Sequence, residues 1–230
     1  MASDQKTTSL VPLGVRWLSP REARLRTRRV MVTIAVVLFV FIAASVLDRW
    51  AFFFFKSGDT ARVEGRDWYR LLRVMGFLPT WLIVALAGWL LSRKDATAPR
   101  VSMALSILAG ATLSGAAAEL LKLVIARERP GEDARYVFRG LFAGFSDGSN
   151  LGLPSSHAAV AFGGAIALTL ARPVLGPLAI VLAAGCAWTR MLSGAHYLSD
   201  VTGAAMLAYA VTLPACRVLG LIPPKLPRFA

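Results

Sequence analysis

Residues 153–200 read LPSSHAAVAFGGAIALTLARPVLGPLAIVLAAGCAWTRMLSGAHYLSD. Two apolar runs, 156–171 and 174–192, fill most of this stretch, and polar clusters lie at their ends. Such runs are typical of helices in a lipid bilayer, whose hydrocarbon core needs about 20 helical residues. The stretch therefore predicts membrane helices that carry their polar groups near one end.

The rest of the 230-residue chain continues this pattern. Hydrophobic residues make up 56% of the sequence even without its 19 glycines, which exceeds the ~45–50% typical of soluble domains with glycine included. A soluble domain cannot bury so much apolar surface, so we predict an all-α polytopic membrane protein with six transmembrane helices. The six predicted spans are 30–47, 74–91, 101–126, 156–171, 174–192 and 198–219.

The net charge of +13 lies in short clusters between the apolar runs. Nucleic-acid binding would need a charged stripe on a folded surface, whereas these clusters are typical of cytoplasmic loops and headgroup contacts. We expect a basic N-terminal segment at 1–29, a membrane domain at 30–220 and a short tail at 221–230, with no cleavable signal peptide. Most Lys and Arg fall on the N-terminal side, which predicts a cytoplasmic N-terminus in a bacterial-type inner (plasma) membrane.

Two further patterns concern the packing of the spans. Small residues recur every fourth position from Ser102 to Ala118, which predicts close approach of a neighbouring helix. The aromatic run 50–55, with Trp68 and Tyr69 after it, favours a segment at the membrane interface over a seventh span.

A first polar cluster closes the third predicted span. Lys122 and Arg129 lie two helical turns apart, so on one helix both project from nearly the same face, and Pro130 is expected to end that helix. Glu119 is expected to pair with Lys122 or to support its packing. Charged groups in a span are functional by default, but snorkelling to the interface explains a pair near a helix end equally well.

A second cluster, Pro154-Ser155-Ser156-His157, opens the fourth predicted span after a long loop rich in glycine. The N-terminus of a helix exposes unpaired N–H groups and the positive end of its dipole, so it can hold an anion. Ser155 and Ser156 fit either such a site or ordinary helix caps. Because long loops are uncommon in compact domains, we interpret this one as a functional covering.

The third cluster, with Arg190, His196 and Asp200, lies at the junction of the last two predicted spans. If His196 begins the last helix, Asp200 lies one turn further on the same face and can accept the proton on Nδ1. A carboxylate in that position fixes the tautomer and leaves the Nε2 lone pair free, as in catalytic triads. A histidine at a span end is usually a satisfied interface residue, but the chain has only two histidines, and each lies in one of these clusters.

A six-span topology places all three clusters on one membrane face, opposite the N-terminus. Together they supply three cations, a helix N-terminus and two histidines. This set suits a phosphate, because cations and amides neutralise its oxygens while one histidine attacks phosphorus and the other protonates the leaving oxygen.

Three motifs resemble the signatures of the type 2 phosphatidic acid phosphatase (PAP2) superfamily in order and internal spacing: Lys122-x6-Arg129-Pro130, Pro154-Ser155-Ser156-His157 and Arg190-x5-His196-x3-Asp200. The motifs cover residues 118–203, and the six-span layout extends the resemblance over most of the chain. It implies a PAP2-type helical bundle. Ser156 stands where glycine is more usual, and Thr189 where serine is.

The resemblance also implies roles for these residues. His196 would be the nucleophile that forms a phosphohistidine, with Asp200 as its orienting partner, and His157 would be the general acid and then the base that activates water. The expected phosphate-binding residues are Lys122, Arg129, Ser155, Ser156 and Arg190. The expected supporting residues are Glu119, Pro130 and Pro154.

The implied activity is metal-independent hydrolysis of a lipid phosphate or diphosphate at the outer membrane face. Polyprenyl diphosphate, phosphatidylglycerophosphate, phosphatidate and lipid A all qualify as substrates. A lipid phosphotransferase of the same family is an alternative, and an anion transporter that uses the three cations is a remote one. Soluble acid phosphatases and vanadium haloperoxidases share the motifs but lack continuous apolar spans of this length.

We expect neither a metal nor a cofactor, because the site supplies its own cations and its two carboxylates have partners already. Cys186 and Cys216 lie in apolar runs without zinc-ligand spacing, so neither a zinc site nor a disulfide framework is indicated. The expected partners are the bilayer and a lipid phosphate substrate, not nucleic acid. The sequence does not indicate an oligomeric state.

Overall fold

The computed structural model describes residues 19–91 and 100–221, so the parts of the predicted basic segment and tail at 1–18 and 222–230 lie outside the described residues. The described residues form eight α-helices and no β-strand, apart from two isolated bridges. In chain order the helices are α1 (Pro20–Phe55), α2 (Thr60–Glu64), α3 (Asp67–Arg73), α4 (Leu78–Leu91), α5 (Arg100–Ile125), α6 (Ser156–Ala171), α7 (Gly176–Leu192) and α8 (Leu198–Val218). The all-α prediction is therefore confirmed.

Four of the described helices, α1, α5, α7 and α8, are long and apolar enough to cross a membrane. A fifth span results if α3 and α4, which meet at a bend of 77°, are counted as one broken span. Helix α6 has only 16 residues, which is about 24 Å at ~1.5 Å per residue against a hydrocarbon core of ~30 Å. The described helices thus provide four to five spans by length and composition, and the fourth predicted span, 156–171, falls short of the length that a span needs.

The chain divides into two units, 1–39 and 40–230. In the first unit, the described side chains from Val30 to Phe39 are exposed and largely apolar. In the second, helices α4 to α8 surround a core that contains Trp81, Ile107 and several buried alanines. All the candidate site residues belong to this second unit.

Close contact between α5 and α6 confirms the packing predicted from the row of small residues. A Cβ atom at Gly110 would lie 2.6 Å from the carbonyl oxygen of Gly163, and one at Gly163 would clash with the carbonyl oxygen of Gly110. Ser106 and Ser114 from the same row are buried, and the Ser114 hydroxyl lies 3.3 Å from the Thr212 hydroxyl of α8. Small side chains thus allow the backbones to meet.

Helix α5 ends earlier than the sequence predicted. We expected Pro130 to end a helix that carried both Lys122 and Arg129, but the last helical residue is Ile125, and Ala126 adopts a left-handed conformation with φ 50°. Residues 127–129 are extended instead, and isolated bridges join Arg127 to Phe138 and Glu128 to Leu151. The prediction that Arg129 is helical was wrong. Arg129 directly precedes Pro130, and the helical conformation is disfavoured for a residue in that position.

Candidate active site

The three predicted clusters meet where α5 and α7 end and α6 and α8 begin. The Ser155 amide donates to the carbonyl oxygen of Asp200 at 3.1 Å, which joins the second cluster to the third. Lys122 of the first cluster donates to the Ser156 hydroxyl. The arrangement places Pro154 and Ser155, both buried, at the centre of these contacts.

His196 lies beside Asp200 as predicted, but it does not begin the last helix, because α8 starts at Leu198. The Nδ1 atom of His196 lies 3.4 Å from Oδ2 of Asp200, and both side chains are buried. The same Oδ2 accepts a hydrogen bond of 2.8 Å from the Tyr197 amide at the start of α8. Asp200 is therefore held by the backbone next to the ring, so Nε2 is free to act once Nδ1 carries the proton.

Burial lowers the pKa of His196 below its ordinary value of 6.5, and the positive charges of Arg190 and Arg129 act in the same direction. The hydrogen bond and the negative charge of Asp200 oppose this shift. The net effect favours a neutral imidazole at pH 7, which is the form that has a lone pair to donate.

The ion pair predicted between Lys122 and Glu119 is confirmed, with Nζ 3.0 Å from Oε1. Lys122 is buried, whereas the Glu119 side chain is 63% exposed. The Ser156 hydroxyl contacts both of these groups. Its hydroxyl therefore connects α6 to the charged end of α5, a contact that the glycine more usual at this position would not make.

Arg127 and Arg129 lie in the segment after α5 that forms the two isolated bridges. Arg127 is buried and forms an ion pair with Oδ1 of Asp200. Arg129 is exposed, and its Nε donates to the carbonyl oxygen of Leu151 at 3.3 Å. Pro130, next in the chain, is half-buried.

Three predicted site residues have buried polar atoms that make no hydrogen bond within the described part of the chain. These atoms are the Ser155 hydroxyl, Nε2 of His157 and Nε of Arg190. Within the described ranges, neither Arg129 nor Arg190 forms an ion pair with a carboxylate. An unpaired buried polar group costs roughly 1–3 kcal/mol, so a bound anion would stabilise this arrangement.

Arg73, at the end of α3, is a cation that the sequence interpretation did not include in the site. Its guanidinium lies over the Phe77 ring, 5.9 Å from the centroid, and this ring meets the His157 ring edge-on at 5.1 Å. Its Nε is also buried without a hydrogen bond to any described residue. The three motifs did not indicate Arg73, because it precedes the second predicted span and lies outside all of them.

A largely apolar groove of about 510 Å³ reaches His157 from the side of the helices. The residues around it come from the start of α4, the middle of α5 and the first turns of α6. Glu119 and His157 are among its polar lining residues, and Leu78, Pro79 and Val160 are among its apolar ones. Such a groove can hold a chain of hydrocarbon with a polar group at one end.

Within residues 19–91 and 100–221, no three His, Cys, Asp or Glu side chains are grouped so that they could hold a metal ion. Asp200 and Glu119 each contact a cation, as described above. A divalent cation such as Mg²⁺ binds carboxylate oxygens, and these two carboxylates already pair with Arg127 and Lys122.

Comparison with known proteins identifies the family. The family model of the PAP2 superfamily matches residues 103–221, which include all three clusters, and the chain belongs to this superfamily. Two curated relatives, the decaprenylphosphoryl-5-phosphoribose phosphatases of Mycobacterium tuberculosis strains CDC 1551 / Oshkosh and ATCC 25618 / H37Rv, are each 36% identical over 121 residues. The match spans 53% of this chain and 61% of the length of each relative. No solved structure gives a significant match.

Proposed function

We propose that this protein hydrolyses a lipid phosphate or diphosphate through a phosphohistidine at His196. The observation that supports this most directly is a buried His196 whose Nδ1 lies 3.4 Å from Oδ2 of Asp200, near Arg129 and Arg190, which have no carboxylate partner among the described residues. A site with surplus positive charge favours an anion, and a nucleophile beside it favours chemistry on that anion.

In the proposed first step, Nε2 of His196 forms a bond to phosphorus while the bond from phosphorus to the leaving oxygen breaks. His157 donates its proton to that oxygen. In the second step, His157 takes a proton from water, the water oxygen bonds to phosphorus, and the bond from phosphorus to Nε2 breaks. Inorganic phosphate leaves, and both histidines return to their starting states.

The proposed phosphate-binding groups are the side chains of Lys122, Arg129 and Arg190 with the N-terminus of α6 at Ser155 and Ser156. Preorganised donors of this kind stabilise charge that develops on the phosphoryl oxygens. The unpaired atoms of Ser155 and Arg190 support this assignment. Glu119, Pro130 and Pro154 are proposed to support these groups, and Glu119 does so by fixing Lys122.

The proposed substrate is a polyprenyl-linked phosphate or diphosphate. The apolar groove beside His157 supports a substrate with a long hydrocarbon tail. The printed names of the two relatives point to a polyprenyl carrier that bears a sugar phosphate. Arg73, next to His157 through Phe77, adds positive charge that suits a second phosphate group.

We further propose a six-span topology in the inner membrane, with the N-terminus in the cytoplasm and the site on the opposite face. The excess of Lys and Arg on the N-terminal side supports this orientation. Under this topology, α6 crosses as a short span whose polar start lies within the protein rather than in lipid. A helix shorter than the bilayer can be accommodated by local thinning.

The direct test is release of inorganic phosphate by the purified full chain from farnesyl diphosphate, phosphatidate and a polyprenyl phosphosugar phosphate. We expect release from at least one prenyl substrate, and none from the His196→Ala variant at equal thermal stability. Parallel reactions with an acceptor lipid separate hydrolysis from phosphotransfer. The proposal is wrong if no substrate releases phosphate, or if His196→Ala keeps more than about a tenth of the activity.

A further inference from the structure

A second buried carboxylate shares Arg127 with Asp200. This residue, Asp48 of α1, is fully buried, and its Oδ2 lies 3.8 Å from Nη1 of Arg127. Arg127 also forms the ion pair with Asp200. One guanidinium is therefore shared between two buried carboxylates from different helices.

Hydrogen bonds fix the positions of these three charges. The Ser199 amide donates to Oδ1 of Asp48 at 2.6 Å, and Arg127 donates to the Ser199 hydroxyl at 2.8 Å. The Tyr136 hydroxyl donates to Oδ2 of Asp48 at 2.8 Å. Burial and the Asp48 carboxylate raise the pKa of Tyr136, so it remains a donor.

We propose that Asp48 and Arg127 are positioning residues that act on His196 through Asp200. Arg127 holds the Asp200 carboxylate in place, and Asp48 offsets the charge of Arg127 so that the cluster retains one net negative charge for the imidazole. This inference rests on the proposed function, in which His196 attacks phosphorus.

The charge balance gives the reason. Two carboxylates and one guanidinium leave one uncompensated negative charge, and such a charge is costly inside a protein. When Nε2 of His196 bonds to phosphorus and Nδ1 keeps its proton, the imidazole ring becomes positive. The cluster and the ring are then neutral together, so the arrangement stabilises the intermediate more than the resting site.

Arg127 alone, without Asp48, would have the opposite effect. An arginine paired with Asp200 would cancel most of the negative charge that His196 feels. Asp48, with Oδ2 3.8 Å from Nη1 of Arg127, restores that charge. The sign of the effect on His196 therefore differs between the two residues, which a purely structural role would not produce.

Other charged and titratable groups also face His196, and the test must hold them constant. They are Asp200 from α8, Arg190 from α7, His157 from α6, and Arg129 from the extended segment that carries Arg127. The substitutions at Asp48 and Arg127 replace none of these four residues, and Asp200 is the one among them that contacts Arg127 directly. A shift in the titration of His196 can then be assigned to the altered residue.

The experiment follows the imidazole signals of His196 by NMR as a function of pH in the full chain in detergent. The chain has only two histidines, so a His157→Gln variant assigns both sets of signals. The variants are Asp48→Asn, Arg127→Gln and the double variant. The measured quantity is the pH midpoint of the His196 titration. We expect this midpoint to fall by about one pH unit in Asp48→Asn and to rise by about as much in Arg127→Gln. In the double variant it should lie near the wild-type value.

Two controls separate charge from packing. Asp147→Asn removes a carboxylate that pairs with Arg139 on the exposed loop and leaves the Asp48 cluster unchanged, so the His196 midpoint should stay within about 0.2 pH units. Tyr136→Phe removes a hydrogen bond to Asp48 but no charge, so any shift should be well below that of Asp48→Asn.

The inference is overturned if both single variants move the midpoint in the same direction, or if neither moves it. It is also overturned if His196 stays untitrated in every variant, Arg127→Gln included. If Asp48→Asn does not fold, Arg127→Gln must raise the midpoint and the charge-retaining Arg127→Lys must not. Because NMR titration needs no substrate, the inference is decided even if no lipid phosphate is hydrolysed and the proposed function fails.

Discussion

The protonation state of His196 governs the proposed chemistry at the scale of the single residue. A protonated imidazole has no lone pair on Nε2, so activity is lost as the pH falls through the pKa of His196. Burial and two neighbouring arginines lower that pKa below 6.5. We therefore expect the acid midpoint of kcat/KM to lie below pH 6.5, measured with a water-soluble short-chain prenyl diphosphate.

The matched variant for this prediction is Asp200→Asn. It removes the hydrogen bond and the negative charge that oppose the shift, so the acid midpoint should move to still lower pH. The ring also loses the acceptor that fixes its tautomer, and kcat should fall at least about a hundredfold. An acid midpoint above pH 6.5 in the wild type, or a rise in Asp200→Asn, would contradict this account of the site.

Arg190 provides a second prediction at this scale. Its side chain is buried and has no carboxylate partner among the described residues. Removing one preorganised charge contact costs roughly 3 kcal/mol, so Arg190→Ala should lower kcat/KM by about a hundredfold. The control is Arg217→Ala, an exposed arginine in the last turn of α8, which should change kcat/KM by less than about twofold. Similar losses in both variants would argue against a phosphate contact at Arg190.

The motif residues were predictable from the sequence, whereas the residues that hold them were not. The spacing of four residues placed Asp200 beside His196 on the assumption that His196 begins the last helix. The two residues do lie together, although α8 begins at Leu198 and His196 precedes it. Asp48 and Arg127 lie 72 to 151 positions away from Ser199 and Asp200, the residues they contact next to His196. Only the folded chain brings them together. The one available signal was Pro130, which disfavours a helix at Arg129.

Among the helix contacts, the close approach of α5 and α6 is expected to contribute strongly to the stability of the protein. A Cβ atom at Gly163 would clash with the carbonyl oxygen of Gly110, and backbone cannot move aside as a flexible side chain can. We expect Gly163→Ala to destabilise the protein by roughly 1–3 kcal/mol, measured as a lowered Tm in detergent. Gly58→Ala is the control, since a Cβ there meets nothing within 4 Å. Equal Tm values for the two variants would disprove the close contact.

Hydropathy predicted where the helices lie along the chain, but it did not predict where they begin and end. Each of the six predicted apolar runs overlaps a described helix over most of its length, because apolar length is a strong signal. The second run begins with the short turn at Val74–Gly76, so α4 starts only at Leu78, and α5 stops at Ile125. These ends depend on local conformations, such as the positive φ of Ala126, that hydropathy does not encode.

Orientation in the membrane is a property of the whole molecule, and the proposed topology predicts it. The loop with Ser149 connects α5 to α6 at the end where the site lies, and the exposed Val174 lies between α6 and α7 at the other end. In a background without Cys186 and Cys216, Ser149→Cys should react with an impermeant thiol reagent on intact spheroplasts. Val174→Cys should react only after lysis. The reverse labelling would place the site on the cytoplasmic face.

The measurement that tests the central claim most directly is the trapping of the covalent intermediate. The full chain is mixed with farnesyl diphosphate labelled on its terminal phosphate, quenched within milliseconds in base, and digested with trypsin. Cleavage after Arg190 puts the two histidines on different peptides. We predict acid-labile label on the peptide that contains His196, and none in the His196→Ala variant. Release of phosphate with no label on that peptide, or with label on the peptide that contains His157, would contradict the account.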